Sequence, residues 1–93
     1  MKIEFDPAKS EKNARERGLP FWFVSEFGWE SAAYSEDTRF RYPETRFTAS
    51  GFIAGRLHVV CFTPVPGGIR VISFRKANDR EVRRYEKEKA SDE

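Results

Sequence analysis

Arg75 and Lys76 stand side by side where a run of β-forming residues, Ile69 to Phe74, gives way to a charged segment opened by Asn78. A cationic pair at the end of a rigid strand, beside the positive N-terminus of a helix, attracts phosphate. Glu44 and Arg46 are two apart in an alternating segment, so both side chains face one side of a strand. An arginine offers a planar fork that bonds two phosphate oxygens and stays charged, and a carboxylate beside it can carry a proton. Glu44 and Arg46 also suit a plain surface ion pair. Tyr85 lies one helical turn beyond Glu81, where it is placed either to back up a proton transfer or to dock its helix.

The rest of the inventory narrows the chemistry. No His/Cys cluster has metal-ligand spacing, no glycine loop is built to cradle phosphate, and no Ser/His/Asp signature is present, so neither a metal nor a cofactor is expected. His58, the single histidine, sits in a strand between Leu57 and Val59, a setting more often structural than catalytic. An enzyme made from this chain must work with Arg, Lys, Glu, Asp, Tyr and water. Cleavage of RNA fits that set, because the 2′-hydroxyl is a nucleophile already present in the substrate. The protein need only orient the backbone, stabilise charge on the phosphorane and move two protons.

Composition sets the outer limits. The 93 residues suffice for one domain, 1–93, with one core. Apolar residues make up 39% of the chain and nine residues are Phe, too apolar for a disordered chain and suited to an aromatic core. The longest apolar run is far too short to span a membrane, the N-terminus lacks a secretory signal, and the lone Cys61 excludes a disulfide framework. A cytoplasmic location is the expectation. The net charge of +2 is small, but its distribution is polarised. Arg70, Arg75, Lys76, Arg80, Arg83, Arg84, Lys87 and Lys89 crowd the last third, while Glu26, Glu30, Glu36 and Asp37 hold the middle. A basic surface of this kind suits a polyanion and can be saturated by an acidic partner.

The elements that must position these residues follow from periodicity and punctuation. Residues 2–5 alternate as a short strand. Asp6-Pro7 reads as an N-cap followed by proline at the first helical position, opening a polar helix over 7–17 that stops at Gly18. A second short helix over 20–27 carries Phe23, Val24 and Phe27 as its core stripe. Trp22 and Trp29 suit anchoring a core or an interface better than stacking on a base. After a possible strand over 31–34 and a polar stretch over 35–43, three strands over 44–53, 56–63 and 69–76 form an antiparallel meander. Strict alternation puts Ile69 and Val71 on one face of the last strand and Ile72 and Phe74 on the other. Asn78 with Glu81 three residues on is a capping box for a final basic helix ending near Lys89, with fraying expected from Ala90 to Glu93. The expected class is α+β in two layers: an N-terminal strand and two helices, an antiparallel sheet of about four strands, and a basic C-terminal helix.

Several of these residues, in this order, carry a resemblance. Arg56-Leu57, Ile72-Ser73-x-Arg75-Lys76-Ala77 and Arg80-Glu81-x-x-x-Tyr85-Glu86 resemble the C-terminal half of the BrnT toxins. Phe5-Asp6-Pro7-x-Lys9, Asn13, Gly18 and Phe21 resemble the opening of that family, and Glu44-x-Arg46, Gly51 and Gly55 its middle. The resemblance implies a RelE-like fold, ribonuclease activity that inhibits translation, and a BrnA-like ribbon-helix-helix antitoxin through which alone DNA is contacted. On this reading Glu44, Arg46, Arg75 and Tyr85 are the candidate catalytic residues, and Arg17, Arg70, Lys76 and Arg80 the candidate RNA-binding ones. The alternative is a diverged RelE-like module that binds nucleic acid or a protein without cutting. Two departures, Glu16-Arg17 where the family commonly has Lys-His and Pro64-Val65-Pro66 after the second meander strand, fall where the resemblance puts the active surface.

Overall fold

The Asp6 carboxylate accepts a hydrogen bond from the Ala8 backbone N–H at 2.9 Å and Pro7 fills the first turn, so α1 (Pro7–Arg17) begins and ends as the sequence predicts. The computed structural model describes residues 1–91. The aromatic segment that follows winds as a 3-10 helix, Phe21–Glu26, rather than an α-helix. Three residues per turn bring Phe21, Val24 and Phe27 onto one face, and these three are buried while Phe23 is only partly covered. A second 3-10 turn, Trp29–Ser31, was not foreseen.

Five strands follow the chain as β1 (Lys2–Glu4), β2 (Ala33–Glu36), β3 (Phe47–Ile53), β4 (Arg56–Val65) and β5 (Gly68–Lys76). They form one sheet in the order β1-β5-β4-β3-β2. The β2 to β5 part is antiparallel, but β1 pairs parallel with β5, so the expected four-stranded antiparallel sheet is a five-stranded mixed one. Gly68 permits the extra pairing: a Cβ there would collide with the Lys2 carbonyl oxygen. A sequence reader sees Gly68 only as part of a turn. Gly51 is confined in the same way, since a Cβ would sit 2.6 Å from the ring of Phe27.

The main core lies on one face of the sheet, where Val60, Phe62, Ile69, Val71 and Phe74 meet Phe21, Val24 and Phe27. Ser10 and Asn13 tie α1 to this side. Ser10 Oγ accepts from the Phe21 N–H at 2.8 Å, and Asn13 Nδ2 donates to the carbonyls of Leu19 and Phe74 at 2.7 and 2.8 Å. The other face has a smaller cluster, Leu57, Val59, Ala77 and Tyr85, beneath α2 (Asp79–Ser91). The sheet is therefore covered on one face and partly covered on the other, as apolar residues on both faces of the last strand lead one to expect. The capping box forms as expected, Asn78 Oδ1 accepting from the Glu81 N–H and Glu81 Oε1 from the Asn78 N–H, both at 2.9 Å. Helix α2 continues through Ala90 and Ser91, where fraying was expected; Asp92 and Glu93 lie outside the described residues.

The pairing of β4 with β5 is interrupted once. Cys61 opposes Ser73 and Phe62 opposes Val71, which leaves Ile72 as an extra residue. This bulge shifts the alternation by one. Ile69, Val71 and Phe74 all enter the main core as a result, contrary to the predicted split of Val71 and Phe74 between faces.

Candidate functional site

The partly covered face of the sheet is hollow. A recess of about 480 Å³ has Ser50, Val59, Cys61 and Ser73 on its floor, α2 along one side, and residues 37–46 along the other. Arg39, Arg46, Arg75 and Arg84 line it, as do Asp37, Glu81, Glu88, Tyr42 and Tyr85.

Arg75 reaches this recess because of the bulge. Unbroken alternation from Ile69 would have aimed it into the main core; the extra residue puts it opposite Val59 on the hollow face. Its Nη1 and Nη2 donate to Glu81 Oε1 and Oε2 at 2.7 and 2.8 Å, a bidentate pair. That carboxylate also caps α2. The Arg75 guanidinium beside Glu81 holds its carboxyl down at about 2, and the same bond raises the Arg75 pKa. Nε of Arg75 makes no hydrogen bond among the described residues, so the Nε side of the fork is open to a further oxyanion.

Arg46 is held from two directions. Its Nε and Nη2 lie 3.2 and 3.1 Å from Glu44 Oε1, and its Cζ is 4.1 Å from the centre of the Tyr42 ring. Tyr42 in turn donates to Asp37 Oδ2 at 3.1 Å. The Asp37 side chain is 3% exposed and also accepts from Arg39 Nε and Nη2, each at 3.0 Å. Those bonds, the Arg39 pair foremost, depress its carboxyl to about 2. Sequence reasoning left 35–43 as a polar stretch and so missed Asp37, Arg39 and Tyr42. The only available signal was an Asp-x-Arg step with an aromatic residue shortly after it.

Of the residues singled out from sequence, Arg46, Arg75 and Tyr85 share the recess, and Glu44 touches it through Arg46. The Tyr85 ring packs edge-on against Phe52, and its hydroxyl donates to the Ser31 carbonyl at 2.7 Å, a docking arrangement that already commits the phenolic proton. Lys76 pairs with His58 in the register and so faces the opposite side of the sheet from Arg75. Arg17 ends α1 behind the main core, Arg70 pairs with Glu4 at 3.1 Å across the β1 edge, and Arg80 is exposed on α2; none of these four lines the recess. Nor do Glu16-Arg17 or Pro64-Val65-Pro66, so the two departures from the family pattern lie away from it. His58 Nδ1 is 2.7 Å from the Arg56 carbonyl oxygen, and burial pushes its pKa down. Cys61 is on the floor, its thiol pushed up by burial and so kept from acting as a thiolate. Trp29 is packed against Phe27 and Phe62, and Trp22 is exposed.

The arrangement thus presents two oriented guanidinium groups, each with donors to spare, in one hollow lined by hydroxyls and backed by carboxylates. Such a site fits a phosphodiester. Among the described residues no helix is long and apolar enough to cross a membrane. A family model described as a ribonuclease toxin, BrnT, of type II toxin–antitoxin systems matches residues 5–81, a span that contains Glu44, Arg46, Arg75 and Glu81. No curated protein matches the chain.

Proposed function

From the chain's membership of the BrnT ribonuclease toxins of type II toxin–antitoxin systems, we propose that it is an endoribonuclease that cuts RNA in this recess without a metal and thereby blocks translation. Arg46 and Arg75 bind the non-bridging oxygens of one phosphate and stabilise the charge that builds on them in the transition state. The 2′-hydroxyl attacks phosphorus, the new 2′-O–P bond forms as the P–O5′ bond breaks, and the products are a 2′,3′-cyclic phosphate and a 5′-hydroxyl. Glu44 takes the 2′ proton, and the leaving oxygen is protonated from water. The observation that supports this reading best is that two arginines, one from the 37–46 loop and one from β5, open spare donors into the same hollow.

In the cell the protein acts in the cytoplasm and is neutralised by a BrnA-like ribbon-helix-helix antitoxin, DNA being contacted only through that partner. A short ribbon-helix-helix protein encoded in the adjoining reading frame is the expected genetic context. One observation favours the rival reading, binding without cutting: Arg39, Arg46, Arg75 and Arg84 each have a carboxylate partner in Asp37, Glu44, Glu81 and Glu88, which lowers the net positive charge of the site. Incubating purified protein with RNA in EDTA separates the two. Fragments ending in 2′,3′-cyclic phosphate support the enzyme; intact RNA that stays bound supports the module.

A further inference from the structure

Residues 37–46 form neither helix nor strand, and surface connections of this type ordinarily hold their side chains loosely. This one is braced from inside. The Asp37 N–H donates to the Arg46 carbonyl at 2.8 Å, closing the loop at its two ends. The buried Asp37 carboxylate gathers the Arg39 backbone N–H at 3.2 Å, the Arg39 guanidinium and the Tyr42 hydroxyl. A carboxylate so nearly excluded from water persists there only because every approach to it is occupied by a donor. Its consequence for the site passes through Tyr42. With the hydroxyl pinned to Asp37, the Tyr42 ring is fixed under the Arg46 guanidinium, while Glu44 holds the Nε edge of the same group.

Resting on the phosphate-binding reading above, we propose that Tyr42 is a positioning residue, held by Asp37, that sets the Arg46 guanidinium in place for a phosphate oxygen before RNA arrives. A long, rotamer-rich side chain that is ordered in advance loses less entropy on binding and needs no rearrangement in the transition state. Tyr42 itself touches no reacting atom; its influence runs through Arg46 alone.

The test is a double-mutant cycle on the full chain with Tyr42→Leu, Arg46→Ala and the pair, following kcat/KM on an RNA oligonucleotide and Kd for its non-cleavable 2′-deoxy counterpart. Tyr42→Leu lowers kcat/KM about tenfold in the wild-type background and has no further effect once Arg46 is alanine. Tyr42→Phe keeps the ring, loses only the Asp37 bond, and lowers kcat/KM about threefold. Equal losses from Tyr42→Leu in both backgrounds would show a general structural role and overturn the proposal, as would no loss at all. If Tyr42→Leu does not fold, Tyr42→Phe carries the same cycle, with a smaller expected loss of about threefold. Should the wild type bind RNA but leave it uncut, the ribonuclease reading fails, and the coupling of Tyr42 to Arg46 is then judged on Kd alone. Arg46→Ala without effect on either readout overturns the proposal directly.

Discussion

Replacing Arg75 with lysine keeps the positive charge and removes the fork, so it isolates what the geometry contributes. In the native site Nη1 and Nη2 are spent on Glu81 at 2.7 and 2.8 Å, and the Nε side is left for a phosphate. A lysine ammonium is one compact group: once drawn to Glu81, it cannot also offer a separate edge to RNA. Charge-assisted hydrogen bonds are worth roughly 1.5–3 kcal/mol each, so losing the Nε-side phosphate contact while keeping a nearby charge costs about 2–3 kcal/mol. At about 1.4 kcal/mol per tenfold, Arg75→Lys lowers kcat/KM about 30- to 150-fold. Folding is disturbed little, because Arg75 and Glu81 are 38% and 24% exposed and the capping box survives; the stability loss stays below about 1 kcal/mol. Initial rates of RNA cleavage, with urea denaturation as the control, provide the measurement. An Arg75→Lys enzyme within about threefold of wild type refutes the fork argument, since a point charge would then suffice. Arg75→Ala, which removes charge and fork together, abolishes growth inhibition while the protein stays folded.

Tyr85→Phe loses the bond to the Ser31 carbonyl and destabilises the fold by about 1 kcal/mol with cleavage nearly unchanged; a large loss of kcat at full stability would make the phenol catalytic after all. Gly51→Ala forces the Phe27 ring to move and costs about 1–3 kcal/mol, read as a lower urea midpoint. Glu81 and Asp37 have folded-state values of about 2 against ordinary values of 4.5 and 3.8, so the stability they add is complete above those ordinary values and is lost as the pH falls toward about 2. Denaturant midpoints between pH 6 and pH 2 check the sign, and Glu81→Gln flattens part of that dependence. Cys61 reacts with a thiol reagent far more slowly in the native protein than in urea, burial keeping its thiol protonated and out of reach.

Much of this molecule is written in local chemistry. The Asp6-Pro7 start of α1, the Gly18 stop and the Asn78–Glu81 capping box depend on neighbours within a few residues, and each appears where its residues stand. The pairing of β3, β4 and β5 follows from short turns between alternating runs. Residues 20–27 were read with the wrong period, because an aromatic run satisfies a three-residue repeat as well as a 3.6-residue one. The parallel pairing of β1 with β5 joins segments at opposite ends of the chain and rests on the missing side chain of Gly68, which no local pattern discloses.

The residue types suited to a phosphate are legible in the sequence alone: arginine for a charged fork and glutamate to orient it. Which arginines share one recess was decided only by the tertiary fold. One surplus residue at Ile72 reverses the alternation of β5, turning Arg75 toward Arg46 and leaving Lys76 behind, because side chains on a strand change face with every residue and a single insertion moves all that follow. The brace under Arg46 is equally non-local in effect, since Asp37 gains its force from burial that exists only once the loop has closed over it.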